Sequence, residues 1–167
     1  MYLCIDIHYS AKGAVAAAVV FEDIDAGAVI KEYIGKTGPA RAYTPGNFYK
    51  RELPAILALL RTVEYDLDAI LIDGYVWLSA DLRPGLGAHL YKALDEKTAV
   101  IGVAKSAFKG TPMATEVFRG RSTRPLYVTA AGMEQEQAAA LVRNMHGPHR
   151  LPTLLKHVDR LARDYAG

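Results

Sequence analysis

The stretch Leu67 to Gly74, LDAILIDG, limits the fold more than any other part of the chain. It is nearly all apolar, has the length of a strand and ends in Asp-Gly, as a buried central strand does when it delivers a polar residue to the edge of a sheet. A Gly-rich segment follows, then a helical pattern from Gly85 to Leu94, then a second apolar run from Thr98 to Val103. Strand, helix and strand in that order predict a parallel pair joined by a crossover, because parallel neighbours need a connection of a dozen or more residues. The amino-terminal part reads differently. Leu3, Ile5, Ile7 and Tyr9 alternate with Cys4, Asp6, His8 and Ser10, the period of an extended strand. Lys12-Gly13 reads as a turn into a strand over Ala14 to Phe21, and Asp23 to Gly27 as a turn into a third over Val29 to Ile34. Three short strands in succession imply an antiparallel meander.

Helices fill the rest. Leu53, Ile56, Leu57 and Leu60 recur at three and four, with Pro54 expected in the first turn. Two more helical patterns, Met133 to His146 and Pro152 to Tyr165, flank Gly147-Pro148, and short strands are expected over Thr115 to Arg119 and Leu126 to Thr129. The expectation is an α/β fold with one mixed sheet, a meander plus parallel strands, flanked by helices. The 167 residues suit one domain over 1–167. Half the residues are apolar and no apolar run reaches the length of a membrane span, so the expectation is a soluble chain. Met1 leads into a strand with no signal-peptide layout, which points to the cytoplasm. The single cysteine, Cys4, excludes an internal disulfide and a cysteine-rich zinc site.

Chemistry enters through the carboxylates. Asp6 and Asp73 each sit in an otherwise apolar strand, where an unpaired ionised carboxylate costs several kcal/mol or takes a proton. Taken singly, each has an ordinary explanation: Asp73 caps the turn made with Gly74, and Asp6 is held by a Lys, an Arg or a backbone amide. If the first and fourth predicted strands are neighbours, the two carboxylates converge on a divalent cation, which hard oxygen ligands suit and which activates water against a phosphoryl group. Glu52, within Lys50-Arg51-Glu52, reads locally as an exposed carboxylate near a helix start. The five histidines show no metal-ligand spacing, and Gly85-Leu86-Gly87 lacks the rest of a dinucleotide fingerprint. A net charge of +2 says little about partners, but Lys105, Lys109, Arg119, Arg121 and Arg124 cluster late in the chain. That cluster reads either as a groove for phosphates or as a solvated loop.

Several segments together resemble the endonuclease V family. They are Tyr43-Thr44-Pro45-Gly46, Lys50-Arg51-Glu52-Leu53-Pro54, Ile70-Leu71-Ile72-Asp73-Gly74, Gly85-Leu86-Gly87-Ala88-His89-Leu90 and Ile101-Gly102-Val103-Ala104-Lys105-Ser106, in that order. Leu126-Tyr127-Val128-Thr129, His149-Arg150-Leu151-Pro152 and Asp159-Arg160-Leu161 extend the likeness over nearly the whole chain. The resemblance implies a ribonuclease H-like fold and magnesium-dependent cleavage of a phosphodiester near a deaminated purine, chiefly inosine, in DNA or RNA, with manganese as a substitute ion. It implies that Asp6, Glu52 and Asp73 hold the metal, with Lys105 and Asp159 in support. A wedge beside the lesion falls on Ala42-Tyr43-Thr44-Pro45, and Gly74, Gly85 and Gly87 would let backbone amides close around a flipped base. Arg121 is the expected phosphate contact. Nucleic acid is the expected partner, with no membrane, and a monomer is the default.

One stretch departs from the family. Where the family reads Asp-Gly-His/Gln-Gly, with a histidine a few residues on followed by Pro-Arg, this chain reads Asp73-Gly74-Tyr75-Val76-Trp77-Leu78-Ser79-Ala80-Asp81. Ser79 or Ala80 stands at the histidine's place. The alternative this opens is a nucleic-acid-binding homologue that keeps the fold and groove with weakened or no turnover.

Overall fold

The computed structural model describes residues 1–11, 13–37, 48–109 and 113–166. A seven-stranded mixed sheet runs through the centre in the order β3-β2-β1-β4-β5-β7-β6. Its strands are β1 (Tyr2–Ser10), β2 (Gly13–Phe21), β3 (Lys31–Thr37), β4 (Ala69–Asp73), β5 (Ala99–Ala104), β6 (Thr115–Val117) and β7 (Leu126–Ala131). β1, β2 and β3 form the expected antiparallel meander. β4 lies parallel to β1 on one side and to β5 on the other. β7 returns antiparallel to β5, and β6 closes that edge against β7. The arrangement is ribonuclease H-like.

The helices cover both faces. α1 (Phe48–Leu60) and α2 (Leu86–Ala93) bury Ala55, Ile56, Leu59, Leu86 and Leu90 against Leu3, Ile5, Ile70 and Ile72. α3 (Gln135–Asn144) and α4 (Thr153–Ala166) bury Ala138, Val142, Leu155, Val158 and Ala162 against Cys4, Leu71 and Ile101 on the other face. Strand periodicity sorts the two cores, since odd-numbered Leu3 and Ile5 go one way and Cys4 the other. β2, continuous in small and branched apolar residues, is buried along its whole length. No helix among the described residues is long and apolar enough to cross a membrane.

Several boundaries depart from the sequence reading, with β6 ending at Val117 and α3 running only Gln135–Asn144, and at α1 and β3 the departure has a visible setting. α1 starts at Phe48, so Pro54 lies past the first turn and not within it. Its missing N–H leaves the carbonyl four residues back without its usual helical donor. β3 begins at Lys31, after the connection closed by the Ile30 N–H to the Val20 carbonyl at 2.8 Å, two residues later than Val29.

Candidate active site

Sheet register brings the two strand aspartates together. β1 and β4 pair from Tyr2 opposite Ala69 to Ile5 opposite Ile72, so Asp6 and Asp73 stand one step further along, side by side. Neighbouring strands are about 4.8 Å apart, and the two carboxylates share the α4 face with Cys4 and Leu71, two residues before each. β5 adds a cation. Val103 lies opposite Asp73, and Lys105, two residues on, places Nζ 2.6 Å from Asp73 Oδ2. From above, α4 contributes Asp159. A shallow recess lined by Asp6, Asp73, Lys105 and Asp159, with Leu155 and Val158 beside them, holds the polar groups. Asp159 accepts from Arg163 Nη2 at 2.5 Å, one helical turn away.

Glu52 joins this field from α1. It is 8 % exposed and shares a stripe with Ala55, Ile56 and Leu59, at spacings of three, four and seven, which faces the sheet. Read locally, Glu52 is an exposed carboxylate near a helix start; the structure instead buries it, four residues before Ile56 and seven before Leu59 on the face turned to the sheet.

The electrostatics separate these acids from ordinary surface carboxylates. Burial pushes the Glu52 carboxyl up to about 8, and the negative fields of Asp6 and Asp73 push the same way against a weaker pull from Arg51. Burial likewise lifts Asp6 to about 7, aided by Asp73 and opposed by the Ile7 N–H, which donates to Asp6 Oδ1 at 2.9 Å. Burial lowers Lys105, but the hydrogen bond and charge of Asp73, with the charges of Asp159 and Asp6, outweigh it and leave the ammonium more basic than usual. Among the described residues neither Asp6 nor Glu52 has an ion pair. Nor do any three Asp, Glu, His or Cys side chains among them stand in ligating positions. The chemistry of the donors still fits a hard divalent cation: carboxylates, buried at Glu52, half-buried at Asp6 and exposed at Asp73, that lie in one another's negative field.

The remaining expected residues divide. Gly74, at φ +122°, turns the chain out of β4 in a conformation that favours glycine. Gly85 and Gly87 do not offer free amides, since these donate to Val76 O at 2.8 Å and Tyr75 O at 3.2 Å. What they give is close packing, because a Cβ on Gly87 would meet Val76 Cγ2 at 2.6 Å. Arg121 is exposed and lines a groove with Ser122, Pro148, His149 and Arg150. Tyr43, Thr44 and Pro45 lie outside the described residues. Arg119 is no part of a solvated basic cluster. It is 6 % exposed and donates to the carbonyls of Arg143, Met145, Gly147, His149 and Arg150.

Sequence reasoning missed the groups that seat the chain beyond β4. Buried Thr129 accepts the Val76 N–H at 2.8 Å, and Trp77 Nε1 donates to Ala130 O at 2.8 Å. The Tyr75 hydroxyl donates to Ser106 O at 2.7 Å and accepts from the Phe108 N–H at 3.0 Å, tying this segment to the loop after Lys105. Three of the histidines are structural: His89 stacks on Tyr49 at 3.6 Å, His157 meets Glu32 at 2.6 Å, and His146 bonds Thr153 at 3.0 Å.

Comparison with known proteins assigns the ancestry of this site. The profile of the Endonuclease V family matches residues 2–121, and the endonuclease V of Rhodospirillum centenum is 31 % identical over 162 residues, covering 84 % of this chain. The chain belongs to the endonuclease V family. A second relative, the endonuclease V of Streptomyces coelicolor, is 34 % identical over 141 residues and again covers 84 % of the chain. The chain matches only 66 % and 58 % of the lengths of these two relatives. Among solved structures, endonuclease V from Ciona intestinalis in complex with a 23mer DNA containing an inosine followed by a ribo-adenosine superposes with a TM-score of 0.82. It is 21 % identical and covers 99 % of this chain and 84 % of that one, a likeness of fold. Human endonuclease V gives a TM-score of 0.79 at 21 % identity, covering 99 % and 83 %.

The span matched by the endonuclease V profile contains Asp6, Glu52, Asp73 and Lys105, with Asp159 beyond it. Ser79, in the loop beyond Trp77, makes its hydrogen bonds within that loop. Ser79 Oγ donates to Asp81 Oδ1 at 2.5 Å and accepts from the Arg83 N–H at 3.2 Å. Neither Ser79 nor Ala80 lines the carboxylate recess.

Proposed function

We propose that the chain is a metal-dependent endonuclease that hydrolyses a phosphodiester near inosine or deoxyinosine in nucleic acid, acting as one domain over residues 1–167. The observation that carries this reading is the placement of Asp6 and Asp73 one residue past the last β1–β4 pair, each in the other's negative field, with Glu52 buried within reach of both charges. Asp6, Glu52 and Asp73 would hold magnesium, with manganese able to substitute. When bound, the ion supplies Lewis acidity and lowers the pKa of a water at the scissile phosphate.

The chain's own residues do the rest. The Lys105 ammonium, held at the edge of the recess by Asp73, faces the phosphate and stabilises charge as it develops. Asp159, steadied by Arg163, borders the place where a water would sit. The segment Gly74 to Trp77, seated by Thr129, walls the space for an extruded base, with Gly85 and Gly87 letting it lie close to α2. Tyr43, Thr44 and Pro45 act as the wedge, and Arg121 takes a phosphate further along the strand. The protein works in the cytoplasm as a monomer.

One observation favours a second reading. By the resemblance, Ser79 or Ala80 stands where the family carries its histidine, and Ser79 Oγ donates to Asp81. A binding homologue with little or no turnover fits that loop. Incubating the protein with labelled DNA and RNA strands containing one inosine, in magnesium, in manganese and in EDTA, separates the two. A nick that appears with the metals and vanishes in EDTA supports hydrolysis. Salt-sensitive retention of the strands with no nick in any condition sinks it in favour of binding.

A further inference from the structure

Two arginines, Arg119 buried and Arg150 half-buried, stand between the α3–α4 connection and the lysine of the site. Arg119 gathers five carbonyls from Arg143 to Arg150, fixing the backbone that leads into α4. Gly120, at φ +59°, fits against that connection so closely that a Cβ would meet Pro148 O at 2.3 Å. Arg150, which ends the fixed stretch, sends its own guanidinium the other way. Its Nη2 donates to Lys105 O at 2.5 Å and to Pro125 O at 2.6 Å, joining the end of β5 to the start of β7. Lys105 Nζ then reaches Asp73 at 2.6 Å. Arg150 is therefore not a free surface cation, although it borders the groove of Arg121 and His149.

We infer that Arg150 is a positioning residue for Lys105. A lysine side chain on the end of a strand has many rotamers and little of its own to fix its backbone. Clamping the Lys105 carbonyl to the Pro125 carbonyl through one planar guanidinium sets the direction in which the side chain leaves β5, and so the place of its ammonium beside Asp73. Arg119 holds the arm from which Arg150 reaches. The inference rests on the catalytic reading of Lys105 given above, and it makes a separate claim: Arg150 acts on the rate through Lys105 and does not grip the strand.

The test compares Arg150→Gln and Arg150→Lys with the unaltered protein on an inosine-containing oligonucleotide. Arg150→Gln should lower kcat by about tenfold or more through misplacement of one charged group. KM should stay within about twofold, as expected when ground-state binding is untouched. Arg150→Lys, with an ammonium able to reach both carbonyls, should recover part of kcat. In protein carrying 13C-labelled lysine, the ε-methylene signal of Lys105, assigned by its loss in Lys105→Gln, should stand apart from those of free lysines. It should move toward them in Arg150→Gln and return in Arg150→Lys. A raised KM at unchanged kcat, or an unmoved Lys105 signal in a folded variant, overturns the inference. If the unaltered protein cuts nothing, the hydrolytic reading has failed and the Lys105 signal alone decides the role of Arg150. Should Arg150→Gln not fold, the same comparison is made with Arg150→Ala, where an unmoved Lys105 signal in the folded variant overturns the inference.

Discussion

Arg119 and the Asp6–Glu52 pair are buried charges treated in opposite ways. Around Arg119 the chain supplies five carbonyl oxygens, and although burial lowers the guanidinium's pKa, it meets its hydrogen-bonding capacity without a carboxylate. Around Asp6 and Glu52 the chain supplies one backbone N–H and the weaker pulls of Lys105 and Arg51, set against desolvation and more negative charge. A buried ion whose valence is filled by the fold belongs to the architecture. Buried like charges set against each other are maintained at a cost in stability, and such arrangements gather where chemistry is done. The contrast assigns roles from local satisfaction and does not depend on ancestry.

The largest expected effect falls on the satisfied charge. Arg119→Met leaves a row of buried carbonyls without donors and should cost about 3–5 kcal/mol in denaturant unfolding. A loss under about 1 kcal/mol would erase the distinction, since ordinary surface substitutions fall in that range.

Opposite in sign is Glu52→Gln, which removes a strained charge and should raise the melting temperature of the metal-free protein at pH 8 by about 3–6 °C while abolishing metal-dependent cleavage. The pH dependence sharpens this. Because folding raises Glu52 from 4.5 to about 8, the folded chain keeps a proton that the unfolded chain releases. The metal-free protein is therefore most stable, with respect to this group, below pH 4.5. It loses stability as pH rises to about 8 and levels off above that. Asp6 adds the same slope between 3.8 and about 7. Thermal melts from pH 5 to 9 should show the decline in the unaltered protein and a flatter curve in Glu52→Gln. Stabilisation by magnesium should grow over the same range, as ligands must be deprotonated to bind.

The smallest effect is expected at Arg163→Gln. Its pair with Asp159 is exposed and spans one helical turn, so unfolding free energy should shift by only about 0.3–0.5 kcal/mol. A change above about 1 kcal/mol would move Asp159 from the edge of the recess into the buried class.

What the sequence disclosed follows from the range over which its signals act. Asp6 and Asp73 were legible because strand periodicity is local and a carboxylate breaks an apolar run conspicuously. Their adjacency was not: the crossover pattern pairs β4 with β5, and the pairing of β4 with β1 is settled by the sheet. Glu52 was obscured because Lys50-Arg51-Glu52 reads locally as a charged, solvated helix start, while the sheet that buries it is built from residues far away in the chain. Arg119 was misread because its neighbours Arg121 and Arg124 look like a solvated loop, while the carbonyls that bury it come from residues 143–150. Pro54 misled for the reverse reason: a strong local preference for the first turn yields to packing of the longer helix. The clasp of Arg150 on Lys105 leaves no mark in any window of sequence.

The parallel pairing of β1 with β4 acts as a ruler. Because side chains alternate faces along a strand, a slip of one residue would turn Asp6 to the opposite core, so the spacing of the acids is set by hydrogen bonding between strands and not by the connections between them. Insertions or deletions in the chain between the two strands can therefore alter what surrounds the acids, and what is brought to them, while their mutual separation stays as the sheet dictates.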